Sequence, residues 1–211
     1  MVASAAVDPT NLPKRMSRPQ LEWWILFGIC VAGKSAKGTE KKVQAFMEFP
    51  YTNMGSNKPM SPFERVRFMI RHKKLAIALK HVKMGKYALF NKAFRAAVNI
   101  DLDNISVVAL EKVPGIGPKT ARMTAMYGFP DTAGEVAVLD THILKWLRLK
   151  GYDAPKSTPQ AGKRYLQLEQ AFIAEAKKRG KTARELDTEI WQSYTANPVF
   201  TDNPVLANPI S

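Results

Sequence analysis

The chain has 211 residues, with 32 Lys and Arg against 18 Asp and Glu, a formal net charge of +14. That length suffices for one large domain or two small lobes with a real core, and such a basic excess suits a polyanionic partner, nucleic acid first. No apolar run approaches a membrane span, the N-terminus lacks the hydrophobic core of a signal peptide, the single Cys30 forbids an internal disulfide, and His72, His81 and His142 show no zinc spacing, so no metal or other cofactor is expected.

Residues 1–16 are small, polar and proline-broken and predict a flexible arm. Ser17 then caps a predicted helix with Pro19 in its first turn. Leu21, Trp24, Ile25, Gly28, Ile29 and Ala32 recur at helical spacing, and Trp23, Phe27 and Cys30 make this helix apolar nearly all round, which predicts a core element. From Thr39, the positions Val43, Phe46 and Met47 mark a second helix, closed by Phe49-Pro50, and residues 50–60 read as a loop. Ser61-Pro62-Phe63-Glu64 supplies a cap, a proline at the first helical position and the reciprocal glutamate of a capping box. Residues 72–82 and 86–98 form two amphipathic stretches whose lysines read as a solvated face. Asp103 is placed to cap a helix running through Ser106, Ala109 and Leu110.

That helix reaches Val113 and stops at Pro114, which cannot continue the backbone ladder. Gly115 and Gly117 bracket Ile116 in a sharp turn, and Pro118 suits the first position of a new helix capped by Gly117. The amides of such a turn, with the positive end of the helix dipole, make a phosphate grip. Lys119 falls in the first turn, where a cation is disfavoured, so it invites a functional reading. Gly128 with Phe129-Pro130 stops the helix, and residues 131–137 cross as loop or short extended chain. Asp140 follows the apolar run Val136 to Leu139, twenty-one residues after Lys119, as the N-cap of a helix ending at Gly151. Ser157-Thr158-Pro159 predicts the start of a long helix that stops at Gly180. Thr182-Ala-Arg-Glu185 is another capping box, followed by Leu186, Ile190 and Trp191; residues 196–211, with three Asn-Pro pairs, read as an irregular tail.

Gly28-Ile-Cys-Val-Ala-Gly-Lys-Ser35 satisfies the nucleotide-binding P-loop pattern, and Val136 to Asp140 imitates its acidic partner motif. The context opposes this: the segment reads as helix before and through the supposed loop, and few stretches read as the parallel strands that fold needs. A P-loop nucleoside triphosphatase is therefore the formal rival.

Val113-Pro-Gly-Ile-Gly-Pro-Lys-Thr-Ala121 and Val138-Leu-Asp-Thr-His142, at this separation, resemble the two signatures of the helix-hairpin-helix DNA glycosylase superfamily. The helical pattern extends the similarity over about residues 19–195. The small size, the Cys-Val-Ala-Gly-Lys-Ser-Ala run and the Leu-Asp-Thr-His-Ile-Leu-Lys-Trp-Leu run look most like the compact archaeal-type 8-oxoguanine DNA glycosylase/AP lyases. The resemblance implies an all-α fold of two helical lobes: residues 17–60 with 151–195 form one, and residues 61–150, carrying the hairpin at 113–118, form the other. An extruded base enters the cleft between them. It implies that Lys119 attacks the deoxyribose C1′ and that Asp140 is the essential carboxylate. It further implies that Pro114, Gly115, Ile116, Gly117, Thr120 and His142 hold the DNA backbone. Lys34 and Ser35 become the minor-groove wedge candidates, and Trp23, Trp24, Cys30 and Trp191 the base-pocket candidates. With one cysteine, the iron–sulfur cluster of many relatives is excluded. The implied partner is double-stranded DNA containing a damaged base, bound by a monomer in the cytoplasm, at the nucleoid or in a host cytoplasm if viral. The same chemistry on an oxidised or modified pyrimidine is one alternative. A hairpin that only binds DNA is another.

Overall fold

The structure, a computed structural model, describes residues 15–50, 60–133 and 135–196. The expected arm lies outside them up to residue 14, as do loop residues 51–59 and the tail from residue 197. The fold is all-helical, with no strand among the described residues.

Its axis is α1 (Arg18–Val31), in which every residue from Leu21 to Cys30 is buried. A helix apolar all round must be covered on all sides. Cover comes from α2 (Ala36–Met47), α3 (Pro62–Arg71), α5 (Tyr87–Ala97) and α7 (Pro118–Gly128), with α4 (Leu75–His81) packed on α3 and α5. The charged member of that run, Glu22, is 4% exposed and accepts the amide of Phe63 at 3.0 Å, at the start of α3. A buried carboxylate is thereby satisfied by a helix N-terminus. Because α1 runs unbroken through Gly28 to Val31, the P-loop pattern forms no loop there.

Two glycines let α1 and α7 approach closely. A Cβ on Gly28 would meet Thr124 Oγ1 at 3.0 Å, and one on Gly128 would meet Leu21 Cδ1 at 2.7 Å and Trp24 Cδ1 at 3.3 Å. The helix bearing Lys119 is thus seated directly on the core helix.

Beyond α7 come the short α8 (Pro130–Ala133), an irregular segment through Leu139, α9 (Thr141–Leu149), α10 (Lys163–Lys178) and α11 (Ala183–Ala196), with α11 packed on both α9 and α10. Val136 to Leu139 is buried without a sheet to pair with, so side chains satisfy its backbone. Ala137 N donates to Glu169 Oε1 at 3.0 Å, and the Tyr165 hydroxyl donates to Ala137 O at 3.0 Å. That hydroxyl also accepts from Leu139 N at 3.2 Å, while Thr158 Oγ1 donates to Leu139 O at 2.7 Å. Arg122 of α7 completes the array, donating to Glu169 at 2.8 Å and Glu111 at 2.5 Å and lying over the Tyr165 ring.

Four local expectations are corrected. Asp103 does not cap: Ser106 does, accepting Ala109 N at 3.1 Å ahead of α6 (Val107–Glu111), while Asp103 pairs with Arg18 at 2.8 Å. The long helix starts at Lys163 rather than near Ser157, because Thr158 serves the buried carbonyl of Leu139. The crossing after Phe129 contains the helical turn α8. The second helix starts before Thr39, at Ala36, with the Ser35 hydroxyl accepting Gly38 N.

Arg122→Met removes one partner from this buried array. An unfolding free energy lower by about 3–5 kcal/mol is expected, read by urea denaturation. A loss below about 1 kcal/mol would make the array dispensable to the fold.

Candidate active site

Between α6 and α7 the chain turns over Lys112 to Gly117. Val113 and Ile116 plug the turn into the core, and Ile116 N donates back to Val113 O at 3.0 Å. Gly115 carries φ +88, the left-handed region that disfavours a side chain, and faces Leu89. Gly117 sits at φ −88 with open space where a Cβ would be, so the backbone there does not need glycine. It is the N-cap of α7 and supplies no side-chain cap, which leaves the first-turn amides to solvent or a ligand. Of the six predicted backbone-binding residues, Gly115 and Gly117 are exposed and Pro114 is half-buried. Ile116 and Thr120 are instead buried. The His142 amide serves Asp140, and its ring stacks on Tyr194 at 4.6 Å.

A cleft of about 600 Å³ opens where α7, α1, α11 and the Asp140 cap converge, a size suited to a small organic group. From α7 come Lys119, Thr120, Met123 and Tyr127, one helix face from first turn to last. From α1 come Trp24, Phe27 and Val31, and from the following turn Lys34 and Ser35. α11 contributes Asp187 and Trp191, one helical turn apart, and Asp140 closes the remaining side. Lys119 and Asp140, the two residues singled out by the motifs, thus line one cavity. Lys119 itself is exposed.

Asp140 is half-buried and caps α9, its Oδ1 accepting His142 N and Ile143 N, each at 2.9 Å. Asp187 is different. It is 8% exposed, and its Oδ2 accepts the Tyr127 hydroxyl at 2.6 Å. Burial pushes its carboxyl up to about 7; the Tyr127 hydrogen bond and the Lys119 charge pull it down, and the Asp140 charge pushes it up. Burial likewise raises the Tyr127 phenol. A titrating carboxyl in a cleft beside a lysine and a second carboxylate is the kind of group that functional sites collect.

The remaining candidates divide. Trp24 and Trp191 line the cleft. Trp23 lies off it, stacked on Phe27 at 5.3 Å, and Cys30 is fully buried with its thiol pushed up to about 12 by burial. Lys34 lines the cleft, yet its ammonium donates to Met84 O at 2.6 Å over the Phe90 ring, and burial lowers its pKa. Ser35 is exposed, with its hydroxyl on Gly38 N. The sequence reading missed Asp187, Tyr127, Phe27 and Met123 as cleft residues. One signal was present: Leu186, Asp187, Ile190 and Trp191 fall on one stripe of a helix, and an acid inside an apolar stripe needs a reason.

Two outcomes follow from this geometry. Gly115→Ala, forced to positive φ, is expected to cost about 1–2 kcal/mol by chemical denaturation, whereas Gly117→Ala leaves stability within about 0.5 kcal/mol. For Asp187, a carboxyl raised from the ordinary 3.8 to about 7 stabilises the fold fully below about pH 4, and that contribution is lost as pH rises through about 7. Asp187→Asn keeps an acceptor for Tyr127 and should raise the melting temperature most above pH 7, the difference corresponding to at most about 4 kcal/mol. An equal melting temperature for the two proteins at every pH would refute this. No family model matches the chain, and no solved structure matches it.

Proposed function

We propose that the chain is a bifunctional DNA glycosylase/AP lyase that removes an oxidised base, 8-oxoguanine the first substrate to test, from duplex DNA. One observation carries the reading: Lys119 and Asp140, twenty-one residues apart in sequence, line the same cleft beside aromatic walls. A target atom inside a duplex is out of reach, so the nucleotide must be flipped into that cleft. Trp24, Phe27 and Trp191 offer faces for a planar base. The α6–α7 turn resembles the hairpin that grips phosphate, and the net charge of +14 favours the duplex whatever its sequence. The two-lobe arrangement implied by the resemblance belongs to the same proposal.

The chemistry follows from the two residues. Breaking an N-glycosidic bond develops positive charge on the deoxyribose, and an ionised Asp140 beside it stabilises that charge. The neutral amine of Lys119 attacks C1′ and displaces the base, giving an imine. Loss of a C2′ proton then cleaves the strand on the 3′ side by β-elimination.

Borohydride should therefore trap a covalent adduct between the protein and a duplex bearing 8-oxoguanine. Lys119→Gln abolishes trapping while duplex affinity is kept. Asp140→Asn retains the α9 cap and a near-normal melting temperature, but base excision falls by about 10²-fold or more. An adduct persisting in Lys119→Gln would move the nucleophile elsewhere. Rapid release of thymine glycol with 8-oxoguanine ignored would keep the mechanism and change the substrate.

A further inference from the structure

We propose, resting on the reading of Lys119 and Asp140 above, that Asp187 is a third catalytic group, the acid that delivers a proton to the departing base. The placement argues for it. Asp187 and Trp191 enter the cleft from successive turns of α11, so a ring held against the indole lies within one helical turn of the carboxyl. Tyr127, on the same face of α7 as Lys119, fixes Asp187 Oδ2 at 2.6 Å, so the carboxyl keeps one orientation relative to the lysine. Asp187 also feels the charges of Lys119 and Asp140 across the cavity.

A purely structural carboxyl in this position has little to recommend it. Burying an acid costs stability unless a cation answers it, and the cation whose charge reaches Asp187 is Lys119. Lys119 stands exposed at the start of α7, where water screens its charge. The acid Asp140 faces it from the α9 cap, and the Tyr127 hydroxyl is its hydrogen-bond donor. The two carboxyls of the cleft therefore sit in different surroundings, Asp140 on backbone amides and Asp187 in a dry wall. Such a split is how one site holds both a carboxylate and a carboxylic acid.

The proton balance closes. The Lys119 nitrogen forms its bond to C1′ as the C1′–N glycosidic bond breaks, and that electron pair goes to the base. The carboxylic proton of Asp187 passes to the base, leaving a carboxylate that keeps the Tyr127 hydrogen bond. The ammonium now on C1′ returns one proton to Asp187 through water. Asp187 ends as it began, and no other reactant is consumed.

The experiment compares two duplexes at saturating protein: one bearing 8-oxoguanine, and one bearing a preformed abasic site, which has no base to protonate. In Asp187→Asn, the ratio of base excision to abasic-site cleavage should fall by about 10²-fold. Wild-type excision should decline as pH rises through about 7, the acid form being the active one. Asp187→Asn should lack that decline, and Tyr127→Phe should move it to higher pH, because its hydrogen bond holds the carboxyl down. Equal losses on both duplexes would overturn the proposal and make Asp187 a support of the lysine. Loss of excision with the pH profile unchanged would overturn it in favour of a simple contact to the base. A wild-type protein that cleaves neither duplex and forms no borohydride adduct would instead remove the glycosylase reading itself, and this inference with it.

Discussion

Arg122 and Glu169 tie together the two pieces of backbone on which the cleft depends. Arg122 lies one turn beyond Lys119 on α7, and Glu169, its partner at 2.8 Å, also holds the amide of Ala137. Ala137 leads through Leu139 into Asp140, and both residues are clasped by the Tyr165 hydroxyl. A shift of α7 relative to the α9 cap would therefore break a buried ion pair, not only slide one apolar surface over another. Such pairs contribute little net stability against a well-packed apolar substitute, but they allow one geometry where greasy contacts allow several. Here the geometry so defined is the separation between a lysine and a carboxylate.

The other side of the cleft is set by close packing. Gly28 on α1 and Gly128 on α7 bring the two helices near enough for Trp24 to stand edge-on to Tyr127, with ring centroids 6.2 Å apart. Tyr127 in turn reaches Asp187, which is otherwise enclosed. The cavity thus combines apolar walls with a buried acid, an arrangement that costs stability at neutral pH. Folds keep such costs where a site uses them.

Much of this was legible in the sequence, and the limits have physical causes. Caps and breakers act locally, so Ser17, Ser61, Gly117, Asp140 and the Thr182 box marked helix ends correctly. Asp103 and Thr158 have the same chemistry but were claimed by distant partners, Arg18 and the Leu139 carbonyl. A cap read from sequence cannot know of a competing partner from far along the chain. Lys119 and Asp140, which share the cleft, stood out because their turn chemistry is local and unusual. Asp187 escaped because its meaning comes only from what it faces, and Trp23 was over-read because an all-apolar helix does not say which aromatic meets the cavity.

The turns beside the cleft illustrate how surface charge can be ordered. Lys34 donates to Met84 O at 2.6 Å, Lys42 to Lys83 O at 2.7 Å and Lys86 to Ala32 O at 3.4 Å, lacing the turn after α1 and the body of α2 to the turn before α5. Lys83 and Lys86 both adopt positive φ, at 50° and 42°, which costs about 1–2 kcal/mol for each non-glycine residue. The cross-turn bonds oppose that cost and hold three ammonium groups at the carbonyls of two short turns. In a free lysine side chain, meeting a phosphate would first require fixing several rotors. Here part of that ordering is already present in the unbound protein. On the proposed reading, a duplex approaching the cleft meets a basic ridge whose geometry precedes its arrival, and the entropy cost of association is lower for it.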